Sequence, residues 1–478
     1  MQSLRKHTDM NKTLVTAAIA ALLAGCSLAP VYQRPAAPVT TAWPQGDAYQ
    51  PAARPTETRE AADIGWQEFI GDERLRKLVQ LSLDNNRDLR VSVLNIERAR
   101  AQYRVTSAAQ LPHVNASVGQ SAQRVPDNMS ATGDGYITRQ YSANLGIAAY
   151  ELDLFGRVRN LSEAGLQQYL GTQEARRAQQ ISLVAEVANA WLTLAADQER
   201  LRLAQDTLKS QQISYELSRR RFAAGATSGL DMYEAQQSVE SARNDMAVYT
   251  AQVAADQNAL ALLAGAPVPA ELLPVGELTA ATQLADLPAG VPSAVLQRRP
   301  DVLSAERSLQ AANANIGVAR AAFFPSISLT ATAGSASTAL SGLFKAGSGA
   351  WSFVPQLTLP IFSGGANQAN LDVAKADRDI AVAQYEKSIQ SAFREVADAL
   401  AQRGTLDERV ASTAALAEAS AKSYRIYEAR YQKGADAYQT SLTSQRNLYA
   451  AQQGLISARL AKATNQVTLY KALGGGWQ

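Results

Sequence analysis

The sequence carries one unit twice, and this internal repeat constrains the fold more than any other feature. Three pairs of segments match: 101–112 with 314–325, 186–190 with 395–399, and 221–225 with 430–434. The first pair is offset by 213 positions and the other two by 209. A chain of 478 residues exceeds one ordinary hydrophobic core. The repeat therefore predicts two similar halves that share one architecture.

Proline is confined to a few stretches of the chain. None lies between Pro126 and Pro267, and none follows Pro360. Because proline costs about 3 kcal/mol inside a helix, these two proline-free stretches can hold very long helices. Apolar residues recur there at heptad-like spacing, at Val373, Ala376, Ile380, Ala383 and at Leu448, Ala451, Leu455, Ala458. This spacing favours a coiled coil packed through small side chains.

Each unit is predicted to contain a long helical hairpin, at 156–265 and at 364–473. The hairpins turn at Gly225 and Gly434, because glycine readily adopts the left-handed backbone that ends a helix. The return helices open with Ser228 three residues before Asp231, and with Asp436 three before Gln439. This spacing resembles a capping box, so the first residue of each pair is the predicted N-cap.

Ahead of each helical hairpin the apolar period changes to two, which predicts a pair of strands. The four strands are expected at about 113–123, 139–153, 326–336 and 350–361. In the second strand Tyr141, Ala143, Leu145, Ile147 and Ala149 are expected to share the apolar face. One apolar face and one small, polar face suit a membrane barrel with a wet interior. A soluble sandwich with one core face has the same periodicity.

The N-terminus combines basic residues with the short apolar run 14–23, followed by Leu-Ala-Gly-Cys ending at Cys26. The run is shorter than the roughly 20 residues of a spanning helix, so it is interpreted as a signal peptide. Leu-Ala-Gly-Cys resembles the bacterial lipobox, which implies covalent diacylglycerol and N-palmitoyl groups on Cys26. Ser27 stands where an aspartate would imply inner-membrane retention, so sorting to the outer membrane is expected. Met10 is a second possible start.

These features divide the chain into six predicted segments. They are a signal peptide (1–25), a lipid-anchored N-terminal segment (26–60), repeat 1 (61–265), a proline-rich connector (266–297), repeat 2 (298–473) and a tail (474–478). The expected fold class is an α+β membrane protein. Four strands cannot close a membrane barrel, since open edges are not tolerated in lipid and the smallest barrels have about eight strands. The chain must then share its strands with copies of itself, and the pattern leaves two and three copies open.

Several motifs together resemble the TolC family of outer-membrane factors, in its OprM-like lipoprotein branch. They are the lipobox, the repeat, and the segments Glu151–Arg157, Gln297–Asp301, Ala321–Leu329 and Leu469–Gly476. The resemblance runs from Cys26 to the C-terminus. It implies a homotrimer with a twelve-stranded β-barrel that continues into a twelve-helix periplasmic coiled-coil tunnel. It also implies a protein anchored in the cell outer membrane that projects into the periplasm.

The function implied by this resemblance is the outer-membrane channel of a tripartite efflux pump. The protein would be a passive exit duct for drugs and other toxic small molecules. An inner-membrane transporter of the resistance-nodulation-division (RND) type would deliver them through a periplasmic membrane-fusion adaptor. A duct for type I protein secretion or for metal-ion export is the alternative. A soluble periplasmic scaffold and a carbohydrate-active enzyme are the competing classes.

The resemblance places a periplasmic gate at the hairpin tips. Asp231 and Tyr431 match the residue types of a family link between neighbouring helices, a carboxylate that accepts a phenol hydrogen bond. We expect this pair to restrain opening. A second family link uses an arginine two positions after the second tip glycine. Asp436 occupies that position here, so this link should be absent or made differently.

At the constriction, family members commonly carry one or two aspartates that favour cations. The matching positions are Thr440 and Thr443, with Gln439 beside them. A polar, uncharged collar is therefore expected. The tip glycines, Gly225 and Gly434, mark where the adaptor is expected to make contact.

Nothing in the sequence indicates catalysis, a metal site or a cofactor. Beyond the signal segment the only histidine is His113, and Cys26 is the only cysteine of the chain. A lone histidine provides neither a metal centre nor a catalytic triad. A formal net charge of +3 leaves no basic surface for nucleic acid.

Overall fold

The computed structural model describes residues 27–49, 61–131, 133–278, 283–285, 287 and 293–476. They form two compact units. The strand unit falls within Met1–Ala36, Asn95–Thr172 and Ser304–Tyr385, and the helical unit within Ala37–Leu94, Gln173–Leu303 and Glu386–Gln478. The predicted signal peptide and Cys26, the predicted acylation site, lie outside the described residues, as do parts of the predicted N-terminal segment, connector and tail.

Helices dominate the described residues. They are α1 (Trp66–Phe69), α2 (Glu73–Asn85), α3 (Arg87–Ala108), α4 (Arg157–Ala223), α5 (Gly229–Ala264), α6 (Pro300–Ala321), α7 (Ala366–Gln432) and α8 (Tyr438–Ala472). Both α4 and α7 have 67 residues, as the absence of proline allows. None of the described helices combines the length and apolar character needed to cross a membrane.

One antiparallel sheet joins four strands in chain order, β1 (Val114–Val125), β2 (Tyr136–Leu152), β3 (Ser326–Ser337) and β4 (Gly349–Thr358). The prediction of four strands per chain is confirmed. The fourth ends at Thr358, short of the expected 361, and Pro360 follows without the N–H that a ladder requires. Within the described residues, β1 and β4 each pair on one side only.

The register aligns the apolar residues of all four strands on one face of the sheet. Directly paired residues share a face. One row joins Leu145 to Ala116 and Ala333, and Ala333 to Trp351. The row next to it, on the opposite face, holds Asn115, Gly146, Thr332 and Ser352. The sheet therefore has one apolar and one small, polar face.

A β-bulge in β2 corrects the predicted alternation. Ile147 pairs with Ala331, but the next pair is Tyr150 with Leu329, so β2 carries one extra residue. Ala149, expected on the apolar face, lies in this bulge with φ 51°. Tyr150 takes the apolar-face position instead. The bulge moves Glu151 to the polar face, where its carboxylate accepts a hydrogen bond from Arg157 Nε at 2.8 Å.

The N-terminal arm, residues 27–36, is attached to the strand unit by side-chain hydrogen bonds. Glu306 on α6 is 5% exposed and accepts from the Tyr32 hydroxyl at 2.9 Å and from Arg34 Nε at 2.8 Å. Asn313 Nδ2 donates to the Pro30 carbonyl at 2.7 Å. Burial and the Glu306 carboxylate raise the pKa of Tyr32, which keeps this donor protonated.

The core of the helical unit is built around large aromatic residues. Trp191 on α4 is buried and its indole N–H donates to the Leu272 carbonyl at 2.9 Å. Phe69 stacks on Tyr470 with ring centroids 3.9 Å apart, and the Tyr470 hydroxyl donates to the Ile64 carbonyl. Both the indole N–H and the phenol hydroxyl have hydrogen-bond partners, so these rings fill the core without an unpaired polar group.

Candidate gate at the hairpin tips

The two hairpins turn at glycines with the same backbone geometry. Gly225 and Gly434 have φ of 70° and 73°, the left-handed region that glycine adopts readily. Each following amide donates to the carbonyl five residues earlier at 2.8 Å, from Ala226 to Arg221 and from Ala435 to Arg430. The tip glycines donate to the carbonyls three residues earlier at 2.9 Å, from Gly225 to Phe222 and from Gly434 to Tyr431. The two bonds at each tip form a Schellman motif, which satisfies carbonyls at the ends of α4 and α7.

Short polar side chains stabilise the turn at the first tip. Ser228 is the N-cap of α5, and its hydroxyl accepts the Asp231 N–H at 3.3 Å, as predicted. The Thr227 hydroxyl donates to the Asp231 carboxylate. Phe222, Leu230 and Tyr233 are all exposed. Asp231 is therefore held within its own turn, beside an apolar surface.

An ion pair stabilises the turn at the second tip. Arg430 donates to both carboxylate oxygens of Asp436, at 2.6 and 2.9 Å. The Arg430 guanidinium lowers the pKa of Asp436, and Asp436 in turn raises the pKa of Arg430. The prediction that Asp436 caps α8 is wrong. The N-cap is Ala437, because the Asp436 side chain bonds to Arg430 instead of to the helix backbone.

Tyr431 packs into a small aromatic cluster between the helices. Its ring lies 5.3 Å from the ring of Tyr438 and 5.1 Å from the Arg221 guanidinium. Tyr438 is buried with Leu442, and its hydroxyl has no hydrogen-bond partner among the described residues. Burial raises the pKa of Tyr438, so this phenol stays neutral.

The proposed Asp231–Tyr431 link does not occur inside one chain. Among residues 27–49, 61–131, 133–278 and 293–476, no hydrogen bond joins the two side chains. Each has another partner, Thr227 for Asp231 and the Arg221 guanidinium for Tyr431. A link between copies of the chain therefore stays a prediction.

The three collar residues lie together on α8. Gln439, Thr440 and Thr443 are exposed, while Tyr438 and Leu442 on the other side of the helix are buried. This exposed turn carries amide and hydroxyl groups and no charge.

Sequence reasoning predicted the Ser228 cap but missed the other contacts that stabilise the tips. The Arg430–Asp436 pair and the contact between Arg221 and Tyr431 join residues across a turn or between helices. Helical periodicity relates positions three and four apart on one helix, so it carries no signal for such contacts. The Thr227–Asp231 spacing of four was the one usable signal.

Comparison with known proteins identifies the class to which this architecture belongs. The family model "Outer membrane efflux protein" matches residues 78–266 and 291–475. The chain is 52% identical over 471 residues to the antibiotic efflux pump outer membrane protein ArpC of Pseudomonas putida, covering 98% of this chain and 96% of ArpC. It is equally similar to the toluene efflux pump outer membrane protein TtgC of Pseudomonas putida, with 52% identity and the same coverage.

A solved structure supports the same class of protein. The open state of the MtrE outer membrane channel of Neisseria gonorrhoeae superposes with a TM-score of 0.84 at 39% identity, covering 95% of this chain and 99% of that one. The fold and the relatives define a channel protein of outer-membrane efflux and support a role in transport without catalysis. The chain belongs to the outer membrane efflux protein family, the TolC family of outer-membrane factors.

Proposed function

We propose that this protein is the exit duct of a tripartite efflux pump, formed by three copies of the chain. The observation that carries the proposal is the four-stranded sheet, with one apolar face and two strands that pair on one side only. In lipid each unpaired backbone group costs several kcal/mol, so such a sheet requires further strands. Three copies supply twelve strands, enough for a closed barrel with the polar face inward.

Periplasmic partners follow from the same assembly. The helical hairpins of three copies supply the twelve helices of a tunnel. Their tips, at Gly225 and Gly434, contact a periplasmic membrane-fusion adaptor, which connects the duct to an RND-type transporter of the inner membrane. Acyl groups on Cys26 anchor each copy in the outer membrane. The firmly bonded arm that begins at Ser27 supports this role, because it holds the chain next to the anchor against the strand unit.

Drugs and other toxic small molecules are the cargo we assign. The names of relatives 52% identical to the chain specify antibiotic efflux and toluene efflux. Type I protein secretion and metal-ion export remain the alternatives for this kind of duct. Among the described residues, no group of three or more histidine, cysteine, aspartate or glutamate side chains could hold a metal ion.

The gate is assigned to the tips. An Asp231–Tyr431 hydrogen bond between neighbouring copies would restrain opening, with the uncharged collar of Gln439, Thr440 and Thr443 at the constriction. The exposed position of the collar supports this assignment. Asp231 can form the link while it keeps the Thr227 hydroxyl, because a carboxylate accepts several hydrogen bonds.

A matched pair of substitutions tests the orientation of the sheet. Ala331 lies on the apolar face, between Ile147 and Phe353, and Thr332 next to it lies on the polar face. An arginine on the lipid side costs about 2–4 kcal/mol per copy near the bilayer centre, whereas an arginine on the lumen side faces water. We expect Ala331→Arg to abolish membrane insertion and Thr332→Arg to insert normally, measured by urea-resistant outer-membrane fractionation. Equal insertion of both variants would contradict the orientation.

Assembly and conduction are tested on the purified protein in detergent. Mass photometry should report trimers, and planar bilayers should show discrete conductance steps. Metabolic labelling with radioactive palmitate should mark the parent protein and leave Cys26→Ala unlabelled. A monomeric protein that produces no conductance in bilayers would contradict the proposed duct. A parent protein that takes up no palmitate would contradict only the proposed lipid anchor.

A further inference from the structure

Two arginines lie on the apolar face of the sheet, at the end where turns connect the strands. Arg139 of β2 pairs with Ala122, and Arg124 of β1 pairs with Ile137. Along a strand every second residue points to the same face. Arg124 therefore shares the face of Val114 on β1, and Arg139 shares that of Tyr141 on β2. The two arginines are diagonal neighbours in the register, close enough to bind one ligand.

Their level on the sheet is where lipid headgroups would lie. From Leu152 to Tyr141 the apolar face of β2 covers ten ladder steps, once the bulge is discounted. At about 3.3 Å per step and a tilt near 40°, this is roughly 25 Å, the usual height of the apolar band of an outer-membrane barrel. Tyr141 lies at the turn end of this band, where aromatic residues meet the interface. Arg139 follows two residues beyond it.

Neither arginine is neutralised within the described part of the chain. Both side chains are exposed, and neither forms an ion pair or a hydrogen bond there. The nearest acidic residues in sequence are Asp127 and Asp134 in the connecting turn. Asp127 accepts the Gly135 N–H at 2.7 Å. Two exposed arginines without an intramolecular partner, beside an apolar surface, are available to bind an anion from outside the chain.

The second strand pair has no counterpart of this cluster. The repeat equivalent of Arg124, at an offset of 213, is Ser337. At the turn end, the apolar-face positions of β3 are Ser335 and Ser337, and Ser335 pairs with Gly349 of β4. The cations thus belong to the β1–β2 pair and do not follow from the repeat.

We propose that Arg124 and Arg139 form a binding site for a phosphorylated lipid headgroup of the outer leaflet. The inference rests on the proposed barrel, which turns this face to lipid. Arginine binds phosphate through paired, charge-assisted hydrogen bonds, and two guanidiniums on neighbouring strands can hold one phosphate from two sides. The adjoining apolar band, including Val118 and Ala143, contacts the acyl chains of the same molecule. A free phosphate ion gains nothing from that band, so a lipid is favoured.

Lipid A with two phosphates is the probe for this site, and its binding to the detergent-solubilised protein is measured by native mass spectrometry. The Arg124→Gln/Arg139→Gln double variant should bind it roughly thirtyfold more weakly, because each interfacial arginine contributes roughly fivefold to anionic lipid binding. Lys345→Gln removes one cation from the other turn, which joins β3 to β4, and should leave binding unchanged. Equal binding by the parent and the double variant would overturn the site.

Two further arms identify the ligand. Lipid A stripped of its phosphates should bind the parent as weakly as it binds the double variant. Equally tight binding of stripped and intact lipid A by the parent would overturn the role of the phosphate. Inorganic phosphate at the lipid concentration should not displace lipid A, and displacement would overturn the lipid assignment. Conductance is recorded for every variant, so loss of the duct and loss of the lipid site are seen separately.

Discussion

The two helical hairpins have the same geometry but different polar chemistry. α4 and α7 have 67 residues each, and α5 and α8 have 36 and 35. Both tips end in a Schellman motif at a left-handed glycine. Yet the first tip is closed by the Thr227 and Ser228 hydroxyls, and the second by the Arg430–Asp436 ion pair. Helix length and turn geometry can therefore persist while the side chains that support them change.

The middle of the hairpins differs more strongly. In the first, the buried Asp197 lies beside Asp256, and Asp256 Oδ2 is buried without a hydrogen-bond partner among the described residues. At an offset of 209 the second hairpin carries Leu406 and Asn465, both buried. Asn465 Nδ2 donates to the Ala399 carbonyl at 3.0 Å. One hairpin thus has two carboxylates where the other has an apolar residue and a satisfied amide.

The largest expected effect comes from giving the second hairpin a carboxylate of the first. Asn465→Asp removes the donor to Ala399 and places an anion in a site that is 4% exposed. We expect a loss of about 3 kcal/mol at neutral pH, since a buried charge is unfavourable and the hydrogen bond to the Ala399 carbonyl is lost. Thermal unfolding at one protein concentration measures it. Asn258→Asp, at an exposed position of α5, is the matched control and should change little. An unchanged thermal midpoint in Asn465→Asp would show that water reaches this site and solvates the carboxylate.

The tip glycines should give equal, smaller effects. A β-carbon at Gly225 or Gly434 meets no atom within 4 Å, so alanine there brings only backbone strain. Each substitution should cost about 1–2 kcal/mol, the penalty of a left-handed backbone for an L-residue. Gly454→Ala, within α8 and also in open space, should instead stabilise the helix slightly. The thermal midpoints of the three variants report this, and clearly unequal losses at the two tips would contradict their equivalence.

The carboxylate pair should make the first hairpin sensitive to pH. Burial, reinforced by the Asp197 carboxylate, raises the pKa of Asp256 to about 6. The folded protein then holds this proton at pH values where the unfolded chain has lost it, so stability falls as pH rises from about 4 to about 6. Because Asp256 is partly exposed, we expect about 1 kcal/mol. Asp256→Asn should be more stable than the parent at pH 7 and equal to it at pH 4. Asp206→Asn on the exposed side of α4 is the control, and an unchanged pH profile in Asp256→Asn would refute the assignment.

The sequence predicted the helix limits and the apolar strand face, which depend on the periodic spacing of residues. It did not predict the β-bulge or the ion pair at the second tip, which depend on how distant residues are paired. The helices begin and end within two residues of the predicted hairpins, because proline and glycine mark those limits. The apolar strand face followed from alternation, but the bulge at Ala149 did not, since alanine carries no bulge signal and the extra residue breaks the period. Asp436 was predicted to cap α8, but its carboxylate pairs with Arg430. Spacing along the chain says nothing about a partner on the other side of a turn.

The collar offers the finest test of how the two hairpins divide their roles. At the offset of 209, Asp231 and Glu234 of the first return helix correspond to Thr440 and Thr443 of the second. If the exposed threonines line the constriction, Thr443→Asp adds one carboxylate per copy to the pore. The cation-to-anion permeability ratio should then rise by about threefold, because carboxylate rings attract cations, and raised salt should screen the effect. Thr443→Asn adds a side chain of the same shape without charge and should leave the ratio unchanged. Single-channel reversal potentials in asymmetric salt measure the permeability ratio. An unaltered ratio in Thr443→Asp would show that the constriction does not lie at this turn of α8.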